Sequence, residues 1–221
     1  MGATAKRAIG VAIVAAAVCA GIALYVVLYL TNVPGSAAAT QGPAGAHLYL
    51  ATVAAAETSD PHPTWVSYYA VDANDEHWKH QTTYVLPAHT LVHVTIYQFD
   101  GQSGLRNEFL GQAQGTVGGS FLMNGKITRA IPPDTASHVF AIPQMGVSVP
   151  LEGIPDNAKN PCANAPCSLN FDHVTVSFTF RTGAKGLYRW QCFVPCAAGF
   201  IQGFGGPMQT VGYMDGFIKV V

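Results

Sequence analysis

Charge is the scarcest commodity in this chain. Lysine and arginine number 11, aspartate and glutamate 12, and together they make up 10% of 221 residues with a net charge of −1. Such a chain has no long-range field to draw in nucleic acid or an acidic membrane surface. Convincing helical periodicity over three turns is missing everywhere except near the N-terminus. Also absent are a nucleophile elbow, a paired-carboxylate signature and a phosphate-binding glycine loop. The stretch Gly203-Phe204-Gly205-Gly206 lacks the lysine and the following helix that such a loop needs. Catalysis by this chain alone is therefore not expected.

The sequence is rich in apolar residues, at 49%, and in turn formers, with 23 glycines and 14 prolines. The apolar residues are concentrated first in one uncharged run, Ala8 to Leu30, behind Lys6 and Arg7. At the helical rise this run spans a hydrocarbon core of roughly 30 Å. Basic residues before the span predict a cytoplasmic N-terminus and an extracytoplasmic remainder, with localisation at the cell membrane as a single-pass protein. Tyr25 and Tyr29 stand near the outer end, where an aromatic belt is expected. A cleaved signal peptide is the rival, with small residues at Gly35-Ser36-Ala37-Ala38-Ala39, but the run is longer than an h-region of about 7–15 residues. Cys19 is read as a small apolar residue of the span. The domains follow: 1–31 a signal-anchor transmembrane helix, 32–46 a Gly/Pro/Ser/Ala linker, and 47–221 an extracytoplasmic domain.

In that domain short strand-like runs recur: His47–Thr52, Trp65–Val71, Thr82–Leu86, Leu91–Tyr97, His138–Ile142, Val174–Phe180, Leu187–Cys192 and Phe217–Val221. Many short strands with turn signals predict an all-β sandwich or barrel. Residues 101–137 and 144–172 read as long irregular segments.

Chemistry can reside in three places: around His138, in the segment Tyr188 to Cys196, and around Met214. Imidazole, thiolate and thioether form the soft ligand set that suits copper. The run HVFAIP from His138, the Cys192-x3-Cys196 spacing after the aromatic strand YRW, and the closing Met214-Asp215-Gly216-Phe217-Ile218-Lys219-Val220 carry a resemblance. The chain resembles the cupredoxins, specifically the CuA-type domain of cytochrome c oxidase subunit II, from about Trp65 onward and most specifically after His138. The resemblance implies a Greek-key cupredoxin-like β-sandwich after one transmembrane helix, with His138, Cys192, Cys196 and Met214 as metal ligands. It implies copper, one or two ions or none, because Phe200 stands where the family has its second histidine. One copper, or an oxidised Cys192–Cys196 pair with none, is expected rather than a full CuA pair unless His173 or a backbone carbonyl substitutes, and Met208 is the other candidate thioether. The implied partners are other subunits of a membrane respiratory complex and a soluble electron donor, with no nucleic acid.

Two functions follow. One is electron transfer through copper as a subunit II-type component of a heme-copper oxidase. The other is a metal-free cupredoxin-fold docking subunit of a membrane complex. Two cysteines outside the cytoplasm also form a disulfide by default, so Cys192–Cys196 can be a bridge with no metal. A separate local disulfide is predicted between Cys162 and Cys167, in NPCANAPC. His77-x-x-His80 reads as solvated loop.

Overall fold

Burial alternates residue by residue from Leu91 to Ile96 and along Val174–Arg181, with Val92, Val94, Ile96, Val176, Phe178 and Phe180 turned inward. That period of two is what a strand with one face on a core imposes. A computed structural model of the chain describes residues 2–27, 35–56, 64–74, 77–196 and 206–221. It divides into two units, Met1–Val33 and Pro34–Val221.

The first unit is a helix, α1 (Ala3–Tyr25), whose Ala5–Tyr25 stretch is long and apolar enough to cross a membrane. Ile9, Val11, Ile13, Val14, Val18, Ile22 and Leu24 stand exposed around it. A helix apolar on all sides is suited to lipid rather than water.

The second unit is the β-sandwich expected. Among the described residues its strands in chain order are β1 (Ser36–Ala38), β2 (Thr40–Gly42), β3 (Gly45–Val53), β4 (Ser67–Ala70), β5 (Thr83–Leu86), β6 (Leu91–Gln98), β7 (Phe121–Met123), β8 (Lys126–Thr128), β9 (Ala136–Ile142), β10 (Val147–Glu152), β11 (Val174–Arg181), β12 (Gly186–Gln191) and β13 (Asp215–Val220). One sheet runs β1-β5-β13-β12-β9-β10. The other runs β2-β3-β6-β11-β7-β8, with β4 on the side of β3. Most pairs are antiparallel, but β1–β5, β5–β13 and β3–β6 are parallel.

Three expectations are corrected. Residues 36–42 lie in the stretch read as linker, yet they form β1 and β2, which pair with β5 and β3. Small residues suit those edges because Ala39 tucks into the core. The segments read as irregular contain the β7–β8 hairpin and the edge strand β10. The hairpin turns on Asn124 (φ 47°) and Gly125 (φ 78°), the two left-handed positions that an Asn-Gly turn supplies.

The core is dominated by aromatic rings. Trp190 on β12 is fully buried, 4.7 Å from Tyr68, 5.3 Å from Phe140 and 5.6 Å from Tyr84 between centroids. Its Nε1–H donates to the carbonyl of Thr82 at 2.7 Å, so the ring is buried without an unpaired donor. That approach requires Gly216 on β13: a Cβ there would lie 1.9 Å from the Thr82 oxygen. A second cluster holds Tyr69, Tyr97, Phe99, Tyr213 and the bonded pair Cys162–Cys167, which closes the local bridge that the spacing predicted.

Candidate metal centre

β9 carries His138 into the interior. All seven residues of the strand are buried because it lies between β12 and β10, with the second sheet across the core. β12 ends at Gln191, and the next residue, Cys192, is held by its N–H donating to the Met214 carbonyl at 2.9 Å. The chain then turns back, so Cys196 faces Cys192 again. Both sulfurs lie near the Val194 carbonyl, at 3.6 Å for Cys192 and 3.0 Å for Cys196.

The result is a tight group. His138 Nδ1 lies 3.1 Å from Cys196 Sγ and 3.9 Å from Cys192 Sγ, and the two sulfurs are 3.2 Å apart and unbonded. One ligand atom from each of the three residues falls within 4.8 Å of the others. Val139 N–H points at Cys192 Sγ from 3.4 Å, and Tyr68 Oη donates to the Val139 carbonyl at 3.2 Å. Cys192 and Val194 are wholly buried and His138 is 2% exposed, while Cys196 is partly exposed.

Met214, the fourth residue expected, is buried and adjoins the group through its backbone carbonyl. A second thioether also reaches the group: Met208 Sδ accepts from Cys196 N–H at 3.4 Å. Gln191 fixes this methionine by donating to its carbonyl at 2.6 Å. His173 does not supply the second imidazole: its Nδ1 faces the Phe171 carbonyl at 2.9 Å, and its ring packs 5.4 Å from Phe99. Beside the group Phe193 is 44% exposed, and Phe200 and Phe204 lie outside the described residues.

The sequence reading missed Asp100, just beyond β6. Its Oδ2 accepts from His138 Nε2 at 3.0 Å, and its Oδ1 accepts from Gly101 N–H at 2.7 Å. No local motif marks it, because 38 residues separate it from its partner.

Electrostatics follow from this packing. Burial opposes a charge on His138, but Asp100 and Cys192 outweigh it and push the imidazole up to about 9. Burial likewise opposes ionisation of Cys192, yet the hydrogen bonds from Cys196 and His138 prevail and bring the thiol down to about 5. Burial and the neighbouring Cys192 thiolate hold Cys196 well above the usual thiol range. The metal-free group is thus an imidazolium between a carboxylate and a thiolate, with one thiol left protonated. One imidazole nitrogen and two sulfurs, converging in a largely buried site with a thioether beside Cys196, match the donor preferences of copper.

No family model matches the chain, and no curated protein matches it. Among solved structures, rusticyanin from Thiobacillus ferrooxidans is 18% identical, over 86% of this chain and 85% of that one, with a TM-score of 0.37. Auracyanin B is 16% identical over 86% and 99%, with a TM-score of 0.29. A heme-copper terminal oxidase dimer is 10% identical over 99% of both chains, also at 0.29. These are likenesses of low overlap.

Proposed function

We propose that the β-sandwich binds copper through His138, Cys192 and Cys196 and carries single electrons. On this reading the domain is held at a membrane by α1, on the extracytoplasmic side, as a cupredoxin-like, subunit II-type component of a heme-copper oxidase or related respiratory complex. Its partners are the other subunits and a soluble electron donor. The observation that supports this best is the convergence of one imidazole nitrogen and two unbonded sulfurs within 4.8 Å, with His138 and Cys192 buried.

Bound copper supplies a one-electron couple. The residues do the rest: the two sulfurs and His138 Nδ1 provide donors, and Met208 places a thioether at the rim. Val139 N–H and the surrounding core fix the Cys192 sulfur, which limits rearrangement between oxidation states. With phenylalanine at position 200 and His173 turned elsewhere, the donor set serves one ion better than two. Met214 is retained as a ligand candidate beside Met208.

The absence of histidine at position 200 favours a second reading, a metal-free docking subunit. Copper analysis and optical spectra of protein purified without chelator and then supplied with copper separate the two. The copper reading expects about one copper per chain and an intense thiolate-to-copper band that vanishes in Cys192→Ser and His138→Ala. Copper-free protein carrying a Cys192–Cys196 disulfide would leave the docking role.

A further inference from the structure

We propose that Asp100 is the positioning residue of this centre. It turns His138 so that Nδ1 faces the sulfurs, and it places a fixed negative charge behind the ring. The inference rests on the copper reading above, but its geometric half concerns the chain alone.

An imidazole can offer either nitrogen, and the partner of one decides the availability of the other. His138 Nε2 is taken by Asp100 Oδ2 at 3.0 Å, leaving Nδ1 toward Cys196 and Cys192. The carboxylate is itself immobilised. Gly101 N–H holds its other oxygen, and the Asp100 N–H donates to Gln98 Oε1 at 3.2 Å. The backbone is pinned as well, since Ile154 N–H donates to the Asp100 carbonyl at 2.9 Å. Asp100, two residues past the end of β6, is thus held by bonds on both its side chain and its backbone, and its side chain is about one-quarter exposed while that of His138 is 2% exposed. It is the group through which the buried ring meets the solvent side of the domain. A full negative charge one ring away stabilises the more positive oxidation state of a bound metal, so it lowers the reduction potential.

Two variants separate position from charge. Asp100→Asn keeps the shape but removes the charge and one acceptor. Asp100→Ala removes everything that holds the ring. In metal-free protein labelled with 15N at histidine, the wild type is expected to show a resolved, slowly exchanging His138 Nε2 proton. Asp100→Ala should lose it. In copper-loaded protein the midpoint potential should rise in Asp100→Asn, with the thiolate-to-copper band kept. Copper affinity should fall by about 10- to 100-fold in Asp100→Ala, the usual effect of removing such a partner. An unchanged Nε2 resonance in Asp100→Ala, or an unchanged midpoint potential in Asp100→Asn, would overturn the proposal. If wild-type protein takes up no copper, the copper reading fails by itself, and the metal-free resonance alone decides whether Asp100 positions His138.

Discussion

His138, Cys192, Cys196 and Asp100 share so little space that their protons are distributed jointly, and this makes the stability of the copper-free domain depend on pH in a defined way. The His138 imidazole is raised to about 9, so its contribution is complete below its ordinary value of 6.5 and is lost as pH rises through 9. Cys192 is lowered to about 5, so its contribution is complete above the ordinary thiol value of 9.0 and is lost as pH falls through 5. Between 6.5 and 9 the two slopes oppose each other and cancel. Below that window the Cys192 contribution drains away; burial raises the Asp100 carboxyl, but the His138 bond outweighs it and keeps it below its ordinary value, so its share is lost last, as pH falls below 3.8. Above 9 the raised Cys196 thiol makes folding costlier with each step in pH. Thermal melts of copper-free protein should show a plateau between about pH 6.5 and 9, with melting temperature falling on both sides. A melting temperature that climbs steadily across that plateau would contradict the proton arrangement. Of these residues, the histidine and both cysteines are legible from their spacing and neighbours. Asp100 is not, because a contact between β6 and β9 exists only after the sheets face each other.

Among the elements, β12 and β13 bear most directly on the centre. They pair from Gly186 with Val220 to Gln191 with Asp215, and they deliver Cys192 and the Met214 carbonyl to the same place. Asp215 is wholly buried and is clasped by the half-exposed Arg189, whose Nε lies 2.9 Å from Oδ1 and 3.1 Å from Oδ2. Gly216 lets Trp190 and the Phe217 amide reach the Thr82 carbonyl. Gly216→Ala should therefore cost about 3 kcal/mol, the upper range for overpacking, because backbone rather than a flexible side chain blocks the added methyl. Equilibrium urea denaturation measures it, and a loss below about 0.5 kcal/mol would mean that the strands separate freely there. At this scale the sequence speaks clearly where alternation is long, as in β6 and β11. It is mute for β1 and β2, whose alanine and glycine residues look like linker until partners are present. The Asn124-Gly125 turn is a strong hairpin signal in itself, but three-residue strands are too short to reveal a period.

At the scale of the whole molecule, Lys6 and Arg7 lie near the start of α1, ahead of its uncharged stretch, and the entire donor set lies in the following unit. If α1 spans a membrane, the positive-inside rule predicts that unit outside the cytoplasm. Protease added to cells with an opened outer envelope should trim the domain while inner-membrane integrity is kept. Protection until the inner membrane is lysed would reverse the orientation. The composition already signals a β-rich body behind an apolar helix; which strands share a sheet depends on long-range pairing and has no local trace. The central claim, that His138, Cys192 and Cys196 hold copper together, is tested most directly by X-ray absorption at the copper edge on copper-loaded full-length protein. The expected spectrum contains sulfur scatterers together with the outer-shell pattern of one imidazole, and it loses sulfur in Cys192→Ser and the imidazole pattern in His138→Ala. A spectrum with only oxygen and nitrogen neighbours, unchanged in both variants, would contradict it.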